Sequence, residues 1–139
     1  MLTVPETICD DERASMNSTA STDELPSSTA PLAGVRVVEV SSFVAAPLCG
    51  MTLAALGADV IRVDPIGGAA DYRRWPVTDD NESIYWAGLN KGKRSFAADF
   101  RNPDAQNLIR DLIIDAGVLV TNAAGRSWLD YDELAAIRP

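Results

Sequence analysis

Two short β-branched runs, VRVVEV at residues 35–40 and ADVIRVD at 58–64, lie one helix apart, and that spacing constrains the fold most. Between them PLCGMTLAALG places Leu48, Met51, Thr52, Ala55 and Leu56 at helical intervals, with Pro47 at the start and Gly57 as the stop. A helix joining two strands of one sheet carries the chain back to its starting end, so the strands run parallel. The pattern then repeats. Asn102, Pro103 and Asp104 form a helix start, Ala105, Leu108, Ile109, Leu112, Ile113 and Ala116 share one face, and GVLVTN (117–122) follows as a further parallel strand. SFAAD reads as another short strand and DYDELAAI (130–137) as a final short helix. The expected fold class is α/β: a Rossmann-like open parallel sheet built from βαβ units.

A chain of 139 residues, 47% hydrophobic and 23% charged, has the size and composition of one globular domain, and no apolar run approaches a membrane span. The first 30 residues differ from the rest. They carry Glu6, Asp10, Asp11, Glu12, Asp23 and Glu24 against Arg13 alone, amid Ser and Thr, and read as a disordered acidic extension without the basic and apolar regions of a secretory signal. The domain is therefore expected over 31–139. The pattern stops at Pro139, where another strand is due, which reads as a cut. With no His and only Cys9 and Cys49, a Cys/His zinc site and a His-based triad are excluded within this chain, and two free thiols in a reducing compartment are expected, Cys49 on a buried-looking helix.

Ligands of open α/β sheets sit beyond the carboxyl ends of the strands. Three segments meet there: SSFVAAP after the first strand, DPIGG after the second and TNAAGR after the third. Small residues at Ala45 and Ala46 allow an anion to approach the backbone at the helix start. Although the net charge is −8, seven of the twelve Lys and Arg fall between Arg62 and Arg101: Arg62, Arg73, Arg74, Lys91, Lys93, Arg94 and Arg101. They supply charge for phosphates, or, in NKGKRS, simply solvate a loop. An NAD site would use an acid where Asp64 stands, but SSFVAAP lacks G-x-G-x-x-G, and Asp64 is read instead as a strand-end turn residue. The connection DPIGGAADYRRWPVTDDNES is long and irregular, as functional or disordered loops tend to be, and its Trp75, with Tyr85 and Trp86 just after it, favours an ordered, packed loop.

PLAGVRVVEVSSFVAAPLCGMTLAALGADVIRVDPIGG, NKGKRSFAADFRNPDAQNLIRDLI, GVLVTN and LDYDELAAIRP occur here in an order and spacing that resemble the family III CoA-transferases. The resemblance covers residues 31–139 and implies a truncated N-terminal portion of that family's large domain. FVAAPLCGMTLAALGADVIR, DPIGGAADYRRWPVT and IYWAGLNKGKRS look most like members that move CoA between the two carboxyls of a C5 branched unsaturated diacid. By resemblance, CoA contacts fall on Val44, Ala45, Ala98, Asp99, Phe100, Arg101 and Asn122, with Lys93 and Arg94 in the family's K-R-S turn shaping the pocket. Pro65 stands where many relatives carry a basic residue, which shifts the 3′-phosphate to Arg73, Arg74 or Arg101. TNAAGRSWL replaces the usual N-F-x-P-G, with Arg126 as a substitute contact.

The family's catalytic aspartate, which forms a mixed anhydride with the acyl group, lies downstream, so no catalytic residue is expected here and Asp64, Asp71 and Asp99 are not candidates. The resemblance further implies acyl-CoA as substrate with no permanently bound cofactor or metal, a cytoplasmic setting, an interlocked homodimer or a second chain as partner, and neither nucleic acid nor membrane. The alternatives are a non-catalytic CoA- or nucleotide-binding module and one subunit of a split enzyme.

Overall fold

The computed structural model describes residues 30–123 and 125–138. The extension expected over 1–30 lies almost entirely outside them, as does Cys9. The described chain runs β1 (Arg36–Val40), α1 (Ala45–Ala55), β2 (Asp59–Pro65), α2 (Ile84–Leu89), β3 (Arg94–Ala98), α3 (Pro103–Ala116), β4 (Leu119–Thr121), a 3-10 turn (Ser127–Leu129) and α4 (Tyr131–Ile137). The four strands form one parallel sheet in the order β3-β2-β1-β4. The expected α/β class is what the chain adopts.

Alternation along the strands divides the core between the two faces of the sheet. Val38 and Val40 of β1, Val63 of β2 and Ala98 of β3 meet Ile109 and Ile113 of α3, with Leu129 and Leu134 completing that side. On the other face Val37 and Val60 pack with Ala58 against Leu53 and Ala54 of α1. Asn102 caps α3 through its side-chain oxygen, which accepts the Asp104 N–H at 2.9 Å, and Gly117 ends it at φ 77°.

Two expectations about the helices need correction. The inner face of α1 is its small-residue side, Ala46, Pro47 and Gly50, whereas Leu48, Thr52, Ala55 and Leu56 point outward and Cys49 is exposed. The cause lies beneath the helix: a Cβ on Gly50 would stand 1.7 Å from Glu39 Oε2, so the backbone there rides directly on a buried carboxylate. On α3, Leu108 is exposed although its neighbours on the apolar stripe are not. The segment IYWAGL, read from sequence only as aromatic, forms α2, capped by Ser83 Oγ accepting the Trp86 N–H at 3.1 Å.

Candidate functional site

The strand order reverses at β1. Its crossover through α1 leads to β2 on one side, and the chain returns through α3 to pair β4 on the other. In an open α/β sheet that point leaves a crevice beyond the strand ends. Here the turn after β1 is bound to the end of β4. Asn122 Oδ1 accepts the Ser42 N–H at 3.0 Å, its Nδ2 donates to the Ser42 carbonyl at 2.8 Å, and Thr121 Oγ1 donates to the Val40 carbonyl at 2.8 Å. The paired donor and acceptor of Ser42 fix the orientation of the Asn122 amide. Asn122 thus holds the turn with its side chain.

Beyond Ser42 the chain turns through Phe43 at φ 64°, an uncommon conformation for a bulky residue, and enters α1 at Val44 and Ala45. Among the described residues no side chain caps this helix start, and its first turn has no acid, so the N–H groups that a first turn leaves unpartnered face the carboxyl ends of the strands. Arg74 lies alongside, its guanidinium 5.4 Å from the Phe43 ring and 4.9 Å from the Tyr85 ring. Asp99, Phe100 and Arg101 leave β3 at the same edge of the sheet, directly after the buried Ala98. The backbone N–H of Arg101, and then its side chain, hold the Asp99 carboxyl below its ordinary range. Arg126 stands 5.0 Å from the Phe100 ring, next to Trp128. A cleft of about 450 Å³ runs from Asn122 and Ala123 past Arg126 to Tyr131. Arg73 instead lines a separate recess of about 770 Å³ with Tyr72, Trp75 and Trp86.

Three cations expected to serve phosphates have other partners. Arg62, 1% exposed, is the centre of a buried cluster. Its Nε donates to Asp64 at 2.9 and 3.1 Å, Nη1 to Glu39 at 3.3 Å and Asn90 at 2.9 Å, Nη2 reaches the Ser41 carbonyl at 3.3 Å, and the Trp86 ring covers it at 5.7 Å. The Lys93 ammonium is buried too, 2.8 Å from Glu39 Oε2, and donates to Glu39 Oε1 at 3.0 Å, Asn90 Oδ1 at 2.7 Å and the Pro47 carbonyl at 2.8 Å. Burial pushes the Lys93 amine below its ordinary value, with Glu39 opposing the shift. Arg94 begins β3 at the amino ends of the strands and pairs with Asp59 at 3.0 Å. Much of the cation cluster in the sequence therefore neutralises internal carboxylates, and Lys93 supports α1 from beneath through Pro47. Asp64 is neither a turn cap nor free to meet a ribose, because Arg62 occupies it.

Sequence reasoning missed Glu39 and Asp71. Glu39 is the acid inside VRVVEV, and it shares a face with Arg62 because the two pair across the sheet. A lone acid in a buried strand beside a lone base in the next is the signal that was available. Asp71 is 1% exposed, accepts the Phe43 N–H at 3.2 Å and lies 3.6 Å from Arg62.

The sequence profile described as CoA-transferase family III matches residues 32–139. Over 108 residues the chain is 63% identical to a 2-methylfumaryl-CoA isomerase of Chloroflexus aurantiacus, an alignment covering 74% of this chain and 26% of that protein. It is 35% identical over 127 residues to a succinate–glutarate CoA-transferase of Agrobacterium fabrum, covering 84% of this chain and 32% of the relative. A crystal structure of a CAIB/BAIF family protein from Brucella suis superposes with a TM-score of 0.68 at 38% identity, over 78% of this chain and 31% of that one. The chain thus spans between a quarter and a third of the length of these relatives. With the parallel sheet and its strand-end crevice in place, the chain belongs to CoA-transferase family III.

Proposed function

We propose that residues 31–139 form the CoA-facing N-terminal part of an acyl-CoA transferase that moves CoA between the two carboxyls of a C5 branched unsaturated diacid. The observation that carries the reading is the arrangement at the carboxyl end of β1: the turn clamped by Asn122, the start of α1 at Val44 and Ala45, and Arg74 packed beside them. A pyrophosphate is suited to such a place, since backbone N–H groups and an arginine complement its charge without needing a mobile loop. Arg101 and Arg126 extend the positive edge, and Phe100 offers an apolar surface; Ala98 and Asp99 shape the wall between them. Arg73, further along the loop, is a candidate for the 3′-phosphate. Lys93 contributes by supporting α1, and Arg94 by its pair with Asp59. The 63% identity to the 2-methylfumaryl-CoA isomerase supports the acyl class.

In this reading the protein's residues bind and orient the thioester, and the carboxylate that forms the acyl anhydride is supplied from outside the described residues. Asp64, Asp71 and Asp99 are already engaged by arginines or backbone N–H groups, which is consistent with that division. CoA is a substrate rather than a resident cofactor. A second copy of the chain, interlocked as the resemblance implies, is the expected partner in the cytoplasm. Among the described residues no helix is long and apolar enough to cross a membrane.

Calorimetric titration of the 139-residue chain with CoA, and with 3′-dephospho-CoA for comparison, tests the binding role. Saturable binding that weakens when the 3′-phosphate is absent is expected. A cooperatively folded chain that gives no heat with CoA would contradict it.

A further inference from the structure

Asp71 holds an unusual position. It is a carboxylate in the middle of the long connection between β2 and α2, and it is 1% exposed. Oδ2 accepts the N–H of Phe43, while among the described residues Oδ1 has no hydrogen-bond partner and faces Arg62 Nη2 across 3.6 Å. Arg62 is in turn fixed by Glu39, Asp64, Asn90 and the Ser41 carbonyl, so Asp71 rests against a guanidinium that cannot move away. The buried cluster holds three carboxylates, Glu39, Asp64 and Asp71, against two cations, Arg62 and Lys93. Neutralising Arg62 therefore does not require Asp71.

What Asp71 does uniquely is reach Phe43. A left-handed phenylalanine relaxes toward negative φ unless its surroundings hold it. The bond from its N–H is charge-assisted, and its acceptor is a carboxylate that is 1% exposed, so it resists exchange for water. Arg74 of the same loop lies over the Phe43 ring. One loop after β2 thus grips the turn after β1 at two points, through a carboxylate on the backbone and a guanidinium on the ring. We propose that Asp71 is a positioning residue that locks the Phe43 turn and thereby sets the direction in which Val44 and Ala45 present the start of α1; the ligand side of this statement rests on the CoA reading above.

Amide hydrogen exchange on the ligand-free 139-residue chain tests the lock without relying on any ligand. The Ser42 amide, bonded to Asn122 and not to Asp71, is the reporter, with Val38 and Val60 in the strands as controls. Asp71→Ala is expected to accelerate exchange at Ser42 about tenfold or more, the equivalent of one charge-assisted hydrogen bond, while the strands stay protected. Adding Phe43→Gly to that variant is expected to recover part of the protection at Ser42, because glycine takes positive φ without steric cost but gives up the Arg74 contact. Asp71→Asn keeps an acceptor oxygen for Phe43 without its charge and should leave Ser42 largely protected.

Unchanged exchange at Ser42 in Asp71→Ala would overturn the proposal, as would equal acceleration in turn and strands that Phe43→Gly does not correct. Loss of Ser42 protection in Asp71→Asn would overturn it as well, even if Asp71→Ala does not fold. Titrating the same chains with CoA separates the two claims. Weaker binding in Asp71→Ala, recovered in part with Phe43→Gly, supports both; a wild-type chain that binds no CoA contradicts the CoA reading alone, and exchange still decides the role of Asp71.

Discussion

At the scale of single residues, the largest energies belong to buried charges. A buried ion pair adds little net stability over an apolar replacement, yet removing one partner leaves the other desolvated and alone. Lys93→Met should accordingly destabilise the chain by about 3–5 kcal/mol at neutral pH, because Glu39 and Asn90 lose their ammonium donor while Glu39 retains only Arg62 and Ser41. Urea denaturation measures this. The pH dependence carries a second signature. Burial depresses the folded-state pKa of Lys93 below its ordinary 10.5, so at pH values under the folded pKa both states are protonated and the cost of burial is present in full. As pH rises from there toward 10.5 the unfolded chain holds more protons, and the stability contributed by this group increases. The wild-type urea midpoint should therefore gain on that of Lys93→Met through this alkaline window. A constant difference would mean that Lys93 titrates as if exposed.

At the scale of elements, the parallel strands and the two long helices were legible because their signals are local. β-Branched runs, a proline at a helix start and glycines at helix ends each act within a few residues. Asn102 is such a signal, and Asn102→Ala should cost about 1 kcal/mol through the loss of its bond to the Asp104 N–H, read as a lower thermal midpoint. An unchanged midpoint would show that α3 is held by its packing on Ile109 and Ile113 alone. The inner face of α1 was not legible, because it is decided by contact with Glu39 of another strand rather than by the periodicity of its own apolar residues. α2 was missed for a related reason: six residues are too few to show a helical period, and the element depends on the Ser83 cap and on Trp86 covering Arg62.

At the scale of the whole molecule, the candidate site is assembled from four strand ends that lie far apart in the sequence. The rule that ligands meet the carboxyl ends of strands points to SSFVAAP, DPIGG and TNAAGR, while Asn122 and Arg101 as contacts are implied by the family resemblance. The sequence could not reveal which cations were free to serve a ligand. Arg62, Lys93 and Arg94 stand in the same basic stretch as Arg74 and Arg101, and only tertiary structure shows that the first three face carboxylates of β1 and β2. Positive charge in this acidic chain thus has two uses, one inside the sheet and one at its edge. The central claim, that the edge beside β1 receives CoA, is tested most directly by following backbone amide resonances of the 139-residue chain during addition of CoA. The account predicts shifts concentrated at Ser42 to Ala45, Arg74, Asp99 to Arg101, and Asn122 to Ala123. Shifts centred instead on Asp59 and Arg94, at the opposite ends of the strands, would contradict it.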